Sequence, residues 1–301
     1  MGHPLRQPPV VREIERAASS HLGRPWRVAG FTGLDDRASH PCGLLHGVSL
    51  SVFAKIGSEE QFAAELAGLR LVRDLTAVAT PPPIGVIRTE AGAVLLLEAV
   101  AEVPPHARTS AHWRALGHSL ALAHRTHAPH FGLAGHDGFF GPLRQDNRPV
   151  STDRWADFYA ERRLLPHLRE AVDSGNLPPA LHRHVERLIT RLPSLCGPEP
   201  RPSLLHGDAQ QNNLLTTAHG AVWVDVAPYF GHPEVDLALL DYFAPVPDEV
   251  FHAYAEVTPI DAGFARRKEL WRLFGYLAVV TVDGASAFGR PFLDRIAGVD
   301  G

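Results

Sequence analysis

Residues 204–226 limit the folds open to this chain more than any other stretch. They are the only strand-like segment after Val100, and helical patterns surround them on both sides. The segment begins LLHGDAQQNNLL. An apolar pair runs into His206-Gly207-Asp208, the chain turns polar, and apolar residues resume after Asn213. One hairpin turn, TTAHGA, leads to VWVDV, a second apolar strand closed by Asp225. Two apolar arms of this kind read as buried strands, so the polar loop between them is presented at a fixed place.

The first hundred residues read differently. Residues 10–22 form a helical pattern ending at Gly23, and 27–33 read as a strand running into the turn GFTG. GLLHGVSLSVFAKIG reads as two strands with a tight turn near Gly47. Residues 58–75 form a helix. Ser58 and Gln61 make a capping box, and Phe62, Leu66, Leu69 and Val72 recur at helical spacing. TPPPIG stops that helix, and residues 84–88 and 93–99 follow as two strands. Beyond Val100 the stretches 110–126, 153–174, 178–192, 247–257 and 264–282 are helical, and 128–150 is a loop long enough to suggest a function. The expectation is an α+β chain: a sheet-rich small lobe over 1–100, a connection near 98–102, and a helical large lobe over 101–301.

Asp208 and Asn213 stand five residues apart, with Asp225 one hairpin further on. Phosphoryl transfer from ATP needs a carboxylate near the attacking hydroxyl and oxygen ligands for Mg²⁺ on the phosphates. The same three residues also fit a solvated turn whose Asp and Asn bond their own backbone. From these residues alone both readings stand. Lys55, in SVFAKIG, shares a strand face with Phe53, opposite Val52 and Ala54. It can reach nucleotide phosphates, or it is a strand-end lysine reaching water. Only Lys55 and Lys268 among 29 basic residues are lysine, so a position that keeps lysine favours the first reading. Glu65 lies near the helix face of Phe62 and Leu69, where it can pair with Lys55 or stay solvated. Asp236, in GHPEVDLALL, is either a first-turn acid or a buried brace beneath the polar loop.

Composition narrows the partners. A net charge of −4 gives no argument for nucleic acid or an anionic membrane. Cys42 and Cys196 make neither a disulfide framework nor a paired metal spacing. The opening MGHPLRQPPVVREIE has no long apolar run, so a cytoplasmic protein is expected. His124 and His127 share a helix face and His182 and His184 cluster, but no third ligand at zinc-like spacing joins either pair.

LLHGDAQQNNLL followed by VWVDVAPYFGHPEVDLALL resembles the aminoglycoside-phosphotransferase-like kinases, and within them the fructosamine/ketosamine 3-kinase branch. FAKIG, FAAELAGLRLV, WADFYAERRLLPHL and the tail FHAYAEVTPID…RRKELWRLFGYL are similar to that branch as well. The resemblance implies a protein-kinase-like bilobal fold, ATP with Mg²⁺, and a small-molecule hydroxyl acceptor. By position it makes Asp208 the catalytic base, gives Mg²⁺ to Asn213 and Asp225, sets Lys55 on the α- and β-phosphates with Glu65 orienting it, and puts adenine against main-chain groups around Glu98 and Val100. His206 and Asp236 become structural. Backbone amides near Gly30 and Gly33 would cover the phosphates, although GFTGLDDRASHPCG is not a clean glycine-rich pattern. Trp155, Tyr159, Tyr229 and His232 are candidate walls of the acceptor pocket, between the 206–213 loop and the helices after Asp153. The branch commonly has Trp shortly after His-Gly-Asp, where this chain has Ala209-Gln210-Gln211, so the acceptor stays open. An antibiotic phosphotransferase and a non-catalytic nucleotide binder are the alternatives. Lys55, Asp208, Asn213 and Asp225 occurring together argue against the second. The short span from Asp225 to Asp236 leaves no long activation segment, which argues against a protein kinase.

Overall fold

The structure, a computed structural model, describes residues 2–34 and 40–300. Helix α1 (Pro8–Leu22) is followed by a five-stranded antiparallel sheet built from β1 (Gly30–Gly33), β2 (Cys42–His46), β3 (Ser51–Gly57), β4 (Pro83–Thr89) and β5 (Gly92–Glu98), in the order β1-β2-β3-β5-β4. Helix α2 (Glu59–Leu75) links β3 to β4. Side chains alternate across the sheet, and each face finds a helix. Val52, Ala54, Ile56, Val94 and Leu96 pack with Val10, Ile14 and Ala18 of α1. Leu95 and Leu97 pack with Phe62, Leu69 and Val72 of α2, with Phe53 beside them. Lys55 falls on the α2 face, on a strand paired at Cys42 on one side and Leu95 on the other, so its place is fixed by two ladders. Ser58 is the N-cap of α2 but makes no side-chain cap bond. Gln61 is drawn away, its Nε2 donating to Gly141 O at 3.2 Å, so a tertiary contact replaces the expected capping box.

Beyond Val100 the chain is mostly helical. Helix α3 (Ser110–Ala123) ends three residues earlier than its pattern suggests, at a His124 cap. The 128–150 loop holds a small hairpin, β6 (Gly138–Phe140) with β7 (Leu143–Gln145). The single helix expected over 153–174 is α4 (Trp155–Tyr159) and α5 (Leu165–Asp173), joined by a π-turn at Ala160–Leu164. Pro166 explains the widening: its ring would meet the carbonyl of Arg162 in a regular helix. Helix α6 (Pro179–Leu195) leads to β8 (Ser203–Leu204), then to the hairpin β9 (Leu214–Thr217) and β10 (Gly220–Trp223), and to β11 (Phe230–Gly231). β8 pairs with β11, so 204–226 is not the only strand-like segment in this half; these two-residue ribbons are too short to leave a sequence pattern. Helices α7 (Pro233–Leu239), α8 (Glu249–Ala255), α9 (Phe264–Asp283) and α10 (Arg290–Ala297) complete the chain. The core centres on α9, whose Leu270, Trp271, Leu273, Phe274, Tyr276 and Leu277 are all buried.

The GHPE stretch is part of this scaffold. His232 Nδ1 caps α7 by accepting from Glu234 N at 3.2 Å. Burial, with Arg267 nearby, pushes its pKa down to about 3, so the ring is neutral and free to accept. Buried Glu234 accepts two bonds from Arg267 at 2.9 and 2.6 Å and one from the Trp271 indole at 2.8 Å. The ion pair pins α7 to α9.

Candidate active site

The polar loop is held from below. Asp236, fully buried in the first turn of α7, accepts from the backbone N–H of His206 at 2.6 Å and of Gly207 at 3.1 Å. His124 bonds the same carboxylate at 3.1 Å and Tyr254 Oη at 2.8 Å. Asp236 is therefore the brace rather than a cap, and His124 belongs to its support. His206 is buried against Trp223, with ring centroids 4.9 Å apart, and its Nδ1 accepts from Asp208 N at 3.3 Å. Burial lowers its pKa and keeps it neutral. Gly207 has φ +84°, and a Cβ there would lie 1.9 Å from Ala227 O. Only glycine lets the loop lie this close to the segment after Asp225.

Both oxygens of Asp208 accept amide bonds, from Gln210 Nε2 at 2.6 Å and Asn213 Nδ2 at 3.0 Å. Burial pushes the Asp208 carboxyl up to about 7, against the pull of these two donors. Val224 N donates to Asn213 O at 3.0 Å, which fixes the second strand beside the loop. Asp225 then takes φ +51°, the only positive φ at a non-glycine among the described residues. Such a conformation costs about 1–3 kcal/mol and persists only where the surroundings hold it. Lys55 holds it here: Nζ lies 2.6 Å from Asp225 Oδ1 and 2.8 Å from Glu65 Oε2. Burial opposes the charge of Lys55, but the two carboxylates outweigh it and raise its pKa. Burial would also raise Asp225, yet Lys55 holds it below the usual carboxylate range. Glu65 is pushed up, by burial first and then by the charge of Asp225.

Two cavities meet at Asp225, which lines both. The larger, about 530 Å³, is walled by Leu44, Phe53, Leu97, Glu98, Val100 and Leu215, with Asn213 and Asp225 at one end. The Glu98 side chain itself turns away to His21, at 2.8 Å. Glu102 and Arg108, 3.6 Å apart and absent from the sequence expectations, line this cavity too. The smaller, about 370 Å³, holds Lys55, Asp208 and Asp225 together with Glu60, Gln61 and Gly68 of α2 and with His136 and Asp137 from the 128–150 loop. The length of that loop was the one sequence signal for these last two.

Gly30 and Gly33 lie in β1 and line neither cavity; residues 35–39 of the expected phosphate-covering loop are outside the described residues. The four expected acceptor walls line neither cavity either. Trp155 is fully buried and stacked with Phe158 and Tyr159. Tyr159 donates to Leu270 O at 2.7 Å, Tyr229 lies under the Arg163 guanidinium at 4.0 Å, and His232 caps α7. These side chains build the helical core, and the wall facing Asp208 comes instead from α2 and the 128–150 loop.

Asn213 and Asp225 offer the hard oxygen donors that suit Mg²⁺, which typically takes one or two protein oxygens and fills its shell from phosphates and water. Among the described residues no group of three or more His, Cys, Asp and Glu is placed to hold a metal ion, and both ring nitrogens of His124 are engaged by Tyr254 and Asp236. No described helix is long and apolar enough to cross a membrane.

A lysine clamped between a helix carboxylate and an aspartate after a hairpin, beside an Asp-x4-Asn loop, defines a kinase-like phosphotransferase that acts on a hydroxyl. The fold agrees. A thermostable mutant of the aminoglycoside phosphotransferase APH(4)-Ia, holding ADP and hygromycin B, superposes with TM-score 0.62 at 15% identity, over 95% of this chain and 97% of that one. A fructosamine-3-kinase-type protein of Thermobifida fusca superposes with TM-score 0.80 at 32% identity, over 96% and 99%. A protein of Vibrio cholerae called a probable ketoamine kinase is 31% identical over 292 residues, 96% of each chain. The family model for fructosamine kinase matches residues 10–293, and the chain belongs to that family.

Proposed function

We propose that this protein uses Mg²⁺-ATP to phosphorylate a hydroxyl of a ketosamine, a sugar-derived amine of the fructosamine type. One observation carries the reading: a nucleotide-sized cavity and an acidic second cavity share Asp225, with Lys55 and Asp208 on the second side. In this reading the two lobes divide near residue 100. Adenine lies against the main chain at 98–100, and Lys55, oriented by Glu65, meets the phosphates. Asn213 and Asp225 would hold Mg²⁺. When bound, the ion neutralises charge on the phosphate oxygens. Asp208 accepts the proton of the acceptor hydroxyl as the oxygen bonds to the γ-phosphorus and the bond to ADP breaks. Little covalent chemistry is asked of the protein, so positioning and charge account for most of the rate.

The second cavity is lined by Glu60, Glu65, Asp137, Asp208 and Asp225. Lys55 pairs with Glu65 and Asp225, and Arg144 pairs with Glu60 at 3.4 Å and Asp137 at 2.8 Å. The remaining carboxylate, Asp208, suits a cationic acceptor. That charge also suits an aminoglycoside. The test is ADP release from Mg²⁺-ATP over fructosyl- and ribulosyl-amines, aminoglycosides and simple sugars, with Asp208→Asn as control. Turnover on a ketosamine, lowered about 10²–10⁴-fold by Asp208→Asn with ATP still bound, supports the reading. Turnover on aminoglycosides alone replaces the acceptor and keeps the mechanism. Silence with ATP bound points to a non-catalytic nucleotide binder.

A further inference from the structure

Gln210 is tied to the candidate catalytic loop at three points. Its backbone N–H donates to Asp208 O at 2.8 Å, its carbonyl accepts from Asn213 N at 2.9 Å, and its side-chain Nε2 donates to Asp208 Oδ1 at 2.6 Å. Asn213 Nδ2 holds the other carboxylate oxygen and, at 2.9 Å, the Asp208 carbonyl. One amide on one oxygen leaves a carboxylate free to turn about its Cβ–Cγ bond. Two amides on opposite oxygens do not. Each ionised oxygen keeps a further lone pair, so a clamped Asp208 can still accept from an acceptor hydroxyl.

We propose that Gln210 is a positioning residue for phosphoryl transfer: its side-chain amide locks the Asp208 carboxylate in the plane that Asn213 sets and so couples the base to a metal ligand. The proposal rests on the function proposed above. It gives the departure at 209–211 a role in alignment, separate from any contact with the sugar.

The test uses the full-length protein with Mg²⁺-ATP and a fructosyl-amine. Gln210→Met keeps the volume without the donor, and Gln210→Ala removes both. Both variants are expected to lower kcat roughly ten- to a hundredfold, the scale of a misaligned catalytic group, with the KM values for ATP and acceptor within about twofold of wild type. A side chain that merely fills space predicts normal kcat for Gln210→Met, and that result overturns the proposal. A raised acceptor KM with unchanged kcat also overturns it, since Gln210 would then be a binding contact. Normal turnover in Asp208→Asn sinks the base assignment and this proposal together. Loss in Asp208→Asn with a normal Gln210→Met rate sinks this proposal alone. If the wild type phosphorylates no ketosamine, the function reading fails by itself. Gln210 is then judged on acceptor-free ADP release, where the same loss is expected and an unchanged rate overturns it.

Discussion

Asp208 and Asp225 are both carboxylates of one site, and their surroundings push them apart. Lys55 sits 2.6 Å from Asp225 and keeps it ionised. Among the described residues no cation is hydrogen-bonded to the Asp208 carboxylate, only the amides of Gln210 and Asn213, and burial raises it to about 7. A base must be ionised to accept a proton, so in the role proposed for Asp208 its protonation is expected to remove activity. The rate on the acceptor, as kcat/KM for Mg²⁺-ATP, is expected to fall about tenfold per pH unit below a midpoint near 7 and to level off above it. Stopped assays from pH 5 to 9 check this. A profile flat down to pH 5 rules out a raised Asp208 as the group that must ionise.

At the scale of elements, α2 carries Glu65 to Lys55, and its seat is set by Gly68, three residues further along the same helix. A Cβ on Gly68 would lie 2.7 Å from Pro228 Cδ and 3.2 Å from Val226 O, on the segment directly after Asp225. Helix propensity favours Gly68→Ala by about 1 kcal/mol, whereas overpacking against a proline ring and backbone costs roughly 1–3 kcal/mol. Sterics are expected to win: Gly68→Ala should lower the melting temperature and raise the KM for ATP as α2 lifts from the site. A higher melting temperature with normal kinetics would mean that α2 has room to move. Trp155→Ala separates core from pocket wall in the same way. It should cost about 3–5 kcal/mol in urea unfolding, without a selective rise in acceptor KM. Much of this level was legible. The alternation of β3 put Lys55 on the α2 face, and Asp208, Asn213 and Asp225 converge as their spacing suggested. Trp155, Phe158, Tyr159 and Arg163 recur at i, i+3, i+4 and i+8, an inward helical stripe, so their burial was legible too, although Trp155 and Tyr159 were expected as walls of the acceptor pocket. The wall made by Gln61, His136 and Asp137 was not. It depends on a loop returning to a helix some seventy residues earlier in the chain, and sequence periodicity does not encode such a meeting.

The whole molecule is held across its cleft by few strong contacts. Lys55–Asp225 joins the sheet to the segment after the β9–β10 hairpin, Gln61 bonds Gly141 O, and Trp223 N donates to Ala79 O at 2.9 Å. The core beneath is shared, with Phe62, Leu69, Leu95 and Leu97 in the same cluster as the buried residues of α9. A ligand bound between β5 and the 208–225 segment touches both sides of this junction, so its binding energy adds to the stability of the folded whole. Mg²⁺-ATP at about a hundredfold over its Kd is expected to stabilise the protein by about 2.7 kcal/mol, read as a melting-temperature rise of several degrees. ATP with EDTA should give a smaller rise. In Asp225→Asn the difference between the two conditions should vanish, because Asp225 lines both cavities and is the one charged side chain of the two proposed to hold the ion. The measurement is a thermal scan of wild type and variant with ATP alone, with Mg²⁺ alone and with both. An equal rise in wild type with and without Mg²⁺ would remove Asp225 from the metal role and leave it only as the clamp on Lys55.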